Sequence, residues 1–187
     1  MTSTATVEGD GRLRLFLGFP LDPAWAADLA RWQARELGGS PALGLVPVER
    51  LHVTLAFLGS RPAADAARAV EVAGAVAPGF GPPALAPVHY RETRSVAMLV
   101  LDDAGGRAGA LQGALSSALA AAGLYEPESR PWLPHVTVAR MHGRPPRLDP
   151  SVPALGPTSP SGVALYNSVL RPNGAQYQIL VSVPLGG

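Results

Sequence analysis

The sequence has no cysteine in its 187 residues. Disulfide bridges and thiolate metal sites are therefore excluded, and a reducing compartment fits this composition. Long hydrophobic runs are also missing, because no stretch reaches the roughly 18 apolar residues that a membrane-spanning helix needs. Residues 1–10 are polar and lack the apolar centre of a signal peptide. We expect a soluble, cytoplasmic protein with no membrane partner, in which residues 1–10 form a flexible tail ahead of one domain at 11–187.

A strong excess of one charge is missing too. Arginine and lysine together number 15 against 14 acidic residues, and the formal net charge is +1. A protein that binds long nucleic acid along many phosphates is usually basic. This composition therefore argues against a general nucleic-acid-binding protein. A small anionic ligand, or the end of an RNA, needs only a few local positive groups and stays open. At 47% hydrophobic residues, the chain can bury a real core.

Hydrophobic patterning alternates between strand and helix periods along the chain. The first helix has the clearest boundaries, because Asp22 precedes Pro23 as an N-cap and Gly38 follows the last apolar residue. An Asn-Gly turn at 173–174 predicts a closing hairpin. The order β-α-β-α-β-β followed by α-β-β-β indicates two α+β lobes packed as one unit. The expected strands cover 12–19, 51–58, 84–92, 95–101, 134–141, 162–170 and 175–183, the expected helices cover about 23–37, 62–77 and 104–122, and a Pro-rich loop is expected over 142–161.

One short pattern occurs twice, as LHVTLAFLG and, in the second half of the chain, as PHVTVARM. Side chains alternate between the two faces of a strand, so residues i and i+2 share a face. His52 and Thr54 therefore point one way in the first copy, and His135 and Thr137 do so in the second. Their apolar neighbours point the other way, into a core. Each copy thus presents an imidazole beside a hydroxyl on a rigid strand, which favours precise placement.

These four side chains would suit acid–base chemistry if the two strands met around a cleft. An imidazole has an ordinary pKa of about 6.5, so near neutral pH one ring can be neutral and the other charged, as paired general base and general acid catalysis requires. Two threonine hydroxyls can donate hydrogen bonds to anionic oxygens. No thiol, serine elbow or carboxylate pair accompanies them, so a phosphate ester is a better substrate than a peptide or a glycoside.

The same residues allow two other interpretations. Each copy can be an ordinary strand whose histidine is a satisfied packing residue. The two histidines can also be read as metal ligands, but two imidazoles without carboxylate or thiolate support make a poor metal cage. We therefore expect no metal.

The paired His-x-Thr pattern, following an N-terminal strand with the sequence RLFLGF, resembles the 2H phosphoesterase superfamily. The segments LHVTLAFLG, RPWLPHVTVAR and LYNSVLRPNGAQYQIL resemble in particular the RNA 2′,3′-cyclic phosphodiesterases, also called the 2′-5′ RNA ligase family. The likeness extends from about residue 12 to residue 185.

This resemblance implies a bilobed, pseudo-symmetric α+β fold of the LigT-like type, with two antiparallel sheets flanking a central cleft and helices outside. It also implies hydrolysis of a terminal 2′,3′-cyclic phosphate to a 2′-phosphate, without metal or cofactor. By analogy, His52 donates a proton to the departing 3′-oxygen and His135 activates water, while Thr54 and Thr137 hold the non-bridging phosphate oxygens. The implied partners are RNA ends or small cyclic-phosphate nucleotides, and a monomer is expected.

Other activities with the same four residues remain open at this point. A relative that acts on 2′-5′ linkages, or on a small nucleotide metabolite, would carry the same motifs. A non-catalytic module could bind RNA ends with the same pocket. Ligation would have to reverse the hydrolysis, because the chain has no nucleotide-triphosphate loop of the Gly-x-x-x-x-Gly-Lys type.

Strand parity gives the flanking residues mostly structural roles. Arg140 falls on the face opposite His135, so unless the strand bulges we expect a structural or rim role for it, and its counterpart Phe57 is expected in the core. His89 and His142 lack a threonine at i+2 and are expected to be surface or packing residues. Three aromatic residues that could stack on a base are expected in the core instead, namely Phe16, Trp132 and Tyr166. Four arginines could attract phosphate or be merely solvated, namely Arg12, Arg14, Arg130 and Arg144.

Overall fold

The computed structural model describes residues 11–142, 148–171 and 174–187, and these residues form eight strands and three α-helices. The strands are β1 Arg12–Pro20, β2 Leu43–Leu45, β3 His52–Pro62, β4 Ala84–Glu92, β5 Val96–Ala104, β6 His135–Met141, β7 Gly162–Arg171 and β8 Gly174–Pro184. The helices are α1 Pro23–Leu37, α2 Ala64–Val76 and α3 Arg107–Ala121, and single 3₁₀ turns lie at Val48–Arg50 and Ala77–Gly79.

Side-chain caps explain where two of the helices begin. The Asp22 carboxylate accepts hydrogen bonds from the backbone N–H groups of Ala24 and Trp25, as expected for an N-cap followed by proline. Helix α3 begins three residues later than the sequence pattern predicted. The reason is a tight turn, in which Gly105 and Gly106 both have positive φ and the Asp103 side chain accepts from the first turn of the helix.

The element order agrees with the sequence-based expectation, except that β2 was not predicted. This strand has only three residues, and it exists because an edge of β6 is open to pair with it. The described part of the Pro-rich loop, 148–161, has no helix or strand and is tied to α1 by two indoles. Trp25 and Trp32 each donate from Nε1 to a backbone carbonyl of this loop at 2.8 Å. The predicted turn residues 172–173 lie outside the described residues.

The strands of both lobes are joined in one antiparallel sheet, in the order β4-β5-β6-β3-β1-β7-β8, with β2 paired to β6. The bilobed α+β arrangement is thus the one expected. One group of strands is β4-β5-β6, and the other is β3-β1-β7-β8. The two groups are joined by only one residue pair, Val53 of β3 with Val136 of β6. Further along β6, strand β2 pairs with the same edge. The two sheets that the sequence led us to expect are therefore halves of one sheet, and β3 and β6 diverge on either side of the junction.

The hydrophobic core lies between the three helices and one face of this sheet. Alternate residues of β1, such as Leu15 and Leu17, are fully buried in one cluster with Leu29 of α1 and Leu115 of α3. The opposite face carries the histidines and threonines of the two motifs. None of the helices in the described part of the chain is long and apolar enough to cross a membrane.

Candidate functional site

The two His-x-Thr motifs meet where β3 and β6 pair. Their central valines, Val53 and Val136, are antiparallel partners and are both completely buried on the core face. In an antiparallel register, the residue before one partner lies opposite the residue after the other. His52 therefore lies opposite Thr137, and Thr54 opposite His135. The structure thus brings two imidazoles and two hydroxyls from distant parts of the chain to one place on the uncovered face.

Both imidazoles are anchored in the same way. His52 Nδ1 lies 2.7 Å from the carbonyl oxygen of Arg50, and His135 Nδ1 lies 2.8 Å from that of Leu133. A carbonyl oxygen can only accept, so Nδ1 carries the hydrogen in both rings, and Nε2 is left for chemistry in the cleft. Nε2 of His52 accepts from the Thr54 hydroxyl at 3.1 Å when the ring is neutral. Each ring is therefore held in one tautomer by the residue two positions before it.

Aromatic rings pack around His52. The centroid of Phe16 lies 4.8 Å from that of the imidazole, and Phe16 is stacked in turn on Tyr166 at 4.6 Å. Tyr177 of β8 approaches the imidazole edge-on at 5.1 Å. Phe16 and Tyr166 are buried, as the sequence led us to expect, and they form the floor beneath His52 rather than a surface on which a base could stack.

This environment lowers the pKa of His52 from its ordinary value of 6.5 to about 4. Burial of the ring is the largest cause, because it penalises the charged form. The Arg50 carbonyl acts in the opposite sense, and the nearby His135 and the charge of Arg140 lower the pKa further. Without a ligand, His52 is therefore neutral at pH 7.

Arg140 faces the cleft, and not the opposite face of β6 that strict alternation predicted. A β-bulge in β6 reverses the parity, because the register with β5 slips by one residue between Thr137 and Ala139. Val138 and Ala139 are consequently both buried, and Arg140 emerges on the same side as Thr137. Its guanidinium donates to the hydroxyl of Tyr177 at 3.3 Å.

The first motif has the same irregularity, and Phe57 is not a core residue. Leu55 and Ala56 are both buried, so Phe57 turns to the cleft side with 42% of its surface exposed. The register between β1 and β3 slips next to Ala56, where Leu17 pairs with Ala56 but Gly18 pairs with Thr54. Phe57 and Arg140 are thus equivalent positions in the two lobes, one apolar and one charged.

Two cavities flank the four motif side chains, one on each side of the junction between β3 and β6. A cavity of about 920 Å³ lies on the side of His52, Thr137 and Arg140. A second one, of about 570 Å³, lies on the side of His135. Thr54 and Phe57 border both cavities. The four motif side chains, His52, Thr54, His135 and Thr137, therefore lie between two cavities. These cavities differ in volume and in the charged residues that border them.

The remaining candidates divide between these cavities and the surface. Trp132 is only partly in the core; it borders the His135-side cavity and donates from Nε1 to the Thr54 carbonyl at 2.9 Å. Arg130 borders the same cavity, whereas His142 borders the His52-side cavity. His89 is exposed on β4. Arg14 borders the His52-side cavity, Arg12 bonds to Ser60, and Arg144 lies outside the described residues.

The motif side chains offer few of the donor groups that metal ions prefer. No group of three or more histidine, cysteine, aspartate or glutamate side chains comes together within residues 11–142, 148–171 and 174–187. The two motif imidazoles are accompanied by hydroxyls, which are weaker ligands than carboxylates or thiolates.

The sequence matches the family model of the 2′-5′ RNA ligase superfamily over residues 20–164. This range contains both motifs and well over half of the chain. No curated protein matches the sequence.

Solved structures with the same fold cover nearly the whole chain. TT0787 of Thermus thermophilus is 26% identical, with a TM-score of 0.79 over 94% of this chain and 99% of its own. E. coli LigT complexed with 3′-AMP is 24% identical, with a TM-score of 0.81 over 93% of this chain and 98% of its own. LigT complexed with phosphate is 23% identical, with a TM-score of 0.77, 95% of this chain and 99% of its own being covered. These likenesses confirm the LigT-like α+β fold.

Proposed function

Because the chain belongs to the 2′-5′ RNA ligase superfamily, we propose that it is a metal-independent phosphodiesterase that opens the terminal 2′,3′-cyclic phosphate of an RNA, or of a small nucleotide, to a 2′-phosphate. The pairing of Val53 with Val136 carries this proposal, since it assembles two imidazoles and two hydroxyls in one cleft. That LigT, a protein of the same fold, was crystallised with 3′-AMP and with phosphate supports a phosphate ester as the substrate.

The proposed reaction uses one imidazole as base and the other as acid. Nε2 of His135 accepts a proton from water as the water oxygen attacks phosphorus. The bond from phosphorus to the 3′-oxygen breaks, and Nε2–H of His52 gives its proton to that oxygen. Thr54 and Thr137 donate hydrogen bonds to the non-bridging oxygens, where negative charge is concentrated. One water is consumed, and proton exchange with solvent returns both rings to their starting states.

This assignment requires a charged His52, although the cleft by itself holds that ring neutral. A cyclic phosphate brings one negative charge. At about 4 Å and the effective dielectric of a protein surface, such a charge is worth about 4 kcal/mol to an imidazolium. Raising the pKa of His52 from about 4 to about 7 needs about the same energy, because each pKa unit corresponds to about 1.4 kcal/mol. The charge of the substrate therefore raises the pKa of His52 toward neutrality, so part of the substrate-bound protein holds a protonated His52 at pH 7.

The test is to replace each imidazole in turn. His52→Ala and His135→Ala should each lower the turnover of a cyclic-phosphate oligoribonucleotide by about 10²–10⁴-fold, the usual contribution of one general acid or base. His89→Ala is the matched control, because His89 is exposed on β4 away from both cavities. Circular dichroism and thermal unfolding show whether each variant is folded. Full activity in either motif variant would rule the proposal out, and binding without turnover by the wild type would identify an RNA-end-binding module instead.

A further inference from the structure

The cavity on the His52 side carries more positive charge than one reacting phosphate requires. Three arginines border it, namely Arg14, Arg50 and Arg140, and no aspartate or glutamate is among the described residues that do so. The whole chain has a net charge of only +1, so this concentration of charge is local. Clefts lined by one sign of charge attract ligands of the other sign. We call Arg14, Arg50, Arg140, His142 and Tyr177 the arginine groove.

Arg140 borders the same cavity as His52 and Thr137, and its guanidinium is bonded to a tyrosine. Its guanidinium donates to the Tyr177 hydroxyl, and the Tyr177 ring stands perpendicular to the ring of His52. Tyr177 thus contacts both the guanidinium of Arg140 and the ring of His52. No carboxylate in the described part of the chain forms an ion pair with Arg140.

Arg14 is held over an aromatic ring on the neighbouring strand. Its guanidinium carbon lies 4.8 Å from the centroid of Phe57. A guanidinium stacked in this way keeps its N–H edges available for a planar or tetrahedral anion. By the strand register, Arg14 of β1 lies next to Ser168 of β7, which pairs in turn with Tyr177 of β8. Arg14, Ser168 and Tyr177 therefore form a row across three strands, at the far side of the groove from Thr137.

The other members of the groove are also fixed by the fold. The side chain of Arg50 is only 17% exposed, and its nearest carboxylate, on the exposed Glu49, is 3.9 Å away. His142 lies across β2 at Gly44, where any larger side chain would collide with its ring. By contrast, the cavity on the His135 side is bordered by two arginines, Arg91 and Arg130, and by one carboxylate, Glu128. The His52 side is therefore the side suited to additional negative charge.

From these observations we infer that the arginine groove binds a second phosphate group of the substrate, next to the one that reacts. The inference rests on the proposed function. It narrows the substrate to nucleotides that carry at least two phosphates, such as an RNA strand whose next phosphodiester follows the terminal cyclic phosphate. Arg14 and Arg140 would donate charge-assisted hydrogen bonds to this second phosphate, with Tyr177 between them.

A comparison of four substrates distinguishes the effect of the second phosphate on kcat/KM from the effect of the rest of the nucleotide. The substrates are adenosine 2′,3′-cyclic phosphate, the same compound with a 5′-phosphate, the diadenylate with a terminal 2′,3′-cyclic phosphate, and that diadenylate with an uncharged methylphosphonate linkage. The wild type and Arg14→Gln are compared by kcat/KM on each substrate. Arg31→Gln is the matched control, because Arg31 is an exposed residue of α1 that pairs with Asp28.

We expect the diadenylate to exceed the cyclic mononucleotide by about tenfold or more in kcat/KM, and the methylphosphonate to lose most of this gain. Arg14→Gln should lower the ratio of kcat/KM for the diadenylate to kcat/KM for the cyclic mononucleotide by about tenfold, and Arg31→Gln should leave this ratio unchanged. A full gain with the 5′-phosphorylated mononucleotide would support the site and identify a terminal phosphate as its ligand. A gain that survives the methylphosphonate, or a ratio unchanged in Arg14→Gln, would overturn the inference. Absence of turnover on all four substrates would contradict the proposed function itself.

Discussion

Burial of the His52 ring links the protonation of one side chain to the stability of the fold. In the unfolded chain this imidazole has its ordinary pKa of 6.5, and in the folded protein its pKa is about 4. Between these two pH values the unfolded state binds more protons than the folded state does. The free energy of unfolding must therefore fall as the pH falls from about 6.5 to 4.

We predict that His52 accounts for a loss of about 3 kcal/mol over this range, and that His52→Gln removes this part of the pH dependence. Urea unfolding at pH 7.5, 6.5, 5.5 and 4.5 measures it. His89→Gln is the control, because it removes an exposed histidine of β4 by the same substitution. Identical curves for wild type and His52→Gln below pH 6.5 would contradict the prediction.

Three threonines differ in the surroundings of their hydroxyl groups, and we therefore predict different effects when each is replaced by valine. Thr54 and Thr137 face the cleft, whereas the hydroxyl of Thr158 is buried without a hydrogen-bond partner in the described part of the chain. Thr54→Val and Thr137→Val should each lower kcat/KM by about 10–100-fold, through loss of a hydrogen bond to the phosphate. Thr158→Val should leave kcat/KM unchanged and raise the melting temperature, because a buried orphan hydroxyl is unfavourable. Steady-state kinetics and thermal unfolding of all three variants check this prediction. A wild-type kcat/KM in Thr54→Val and Thr137→Val, as in Thr158→Val, would exclude a phosphate-binding role for the motif threonines.

At the scale of the secondary-structure elements, bulges decide what faces the cleft. Strict alternation of side chains along β6 predicted that Arg140 lies on the core side, and the same alternation along β3 predicted that Phe57 is buried. Both conclusions failed for one reason: each motif is followed by two buried apolar residues, Val138-Ala139 and Leu55-Ala56, which take up the extra position of a bulge. A single sequence does not reveal such a bulge by periodicity, because its stability depends on partners elsewhere in the fold.

One such partner is Gln33 of α1, a polar side chain that is only 1% exposed. Its amide donates to the carbonyl of Val138, in the bulge of β6, at 2.6 Å, and to the carbonyl of Val46 at 3.2 Å. The backbone N–H of Val46 bonds to the same Val138 carbonyl at 3.0 Å. Gln33 is thus a positioning residue for Arg140, which follows two residues after Val138.

We predict that Gln33→Leu costs about 1–3 kcal/mol of stability, through the lost hydrogen bonds, and raises KM more than it lowers kcat, because Arg140 is displaced. Leu119→Ala is the comparison, since Leu119 is a fully buried residue of α3 away from the bulge. This variant should lose stability, by about 2–5 kcal/mol, without the rise in KM. An unchanged KM in folded Gln33→Leu would show that the side chain serves stability alone.

At the scale of the whole molecule, the junction of two lobes makes the site. The duplicated motif, the faces of His52 and His135, and the order of the longer elements follow from local pattern and from the family resemblance. The junction follows from the family resemblance alone, because nothing local in either motif indicates that Val53 and Val136 pair. The three-residue strand β2 likewise depends on an edge of β6 that exists only in the folded sheet.

The central claim is that this junction hydrolyses a cyclic phosphate by acid–base catalysis without metal. The most direct measurement is to incubate the purified protein with an oligoribonucleotide ending in a 2′,3′-cyclic phosphate, in the presence of EDTA. The product is then identified by mass and by chromatographic separation of 2′- from 3′-phosphates. The account predicts a product heavier by one water that carries a 2′-phosphate. A 3′-phosphate product, or no turnover by the folded protein, would contradict it.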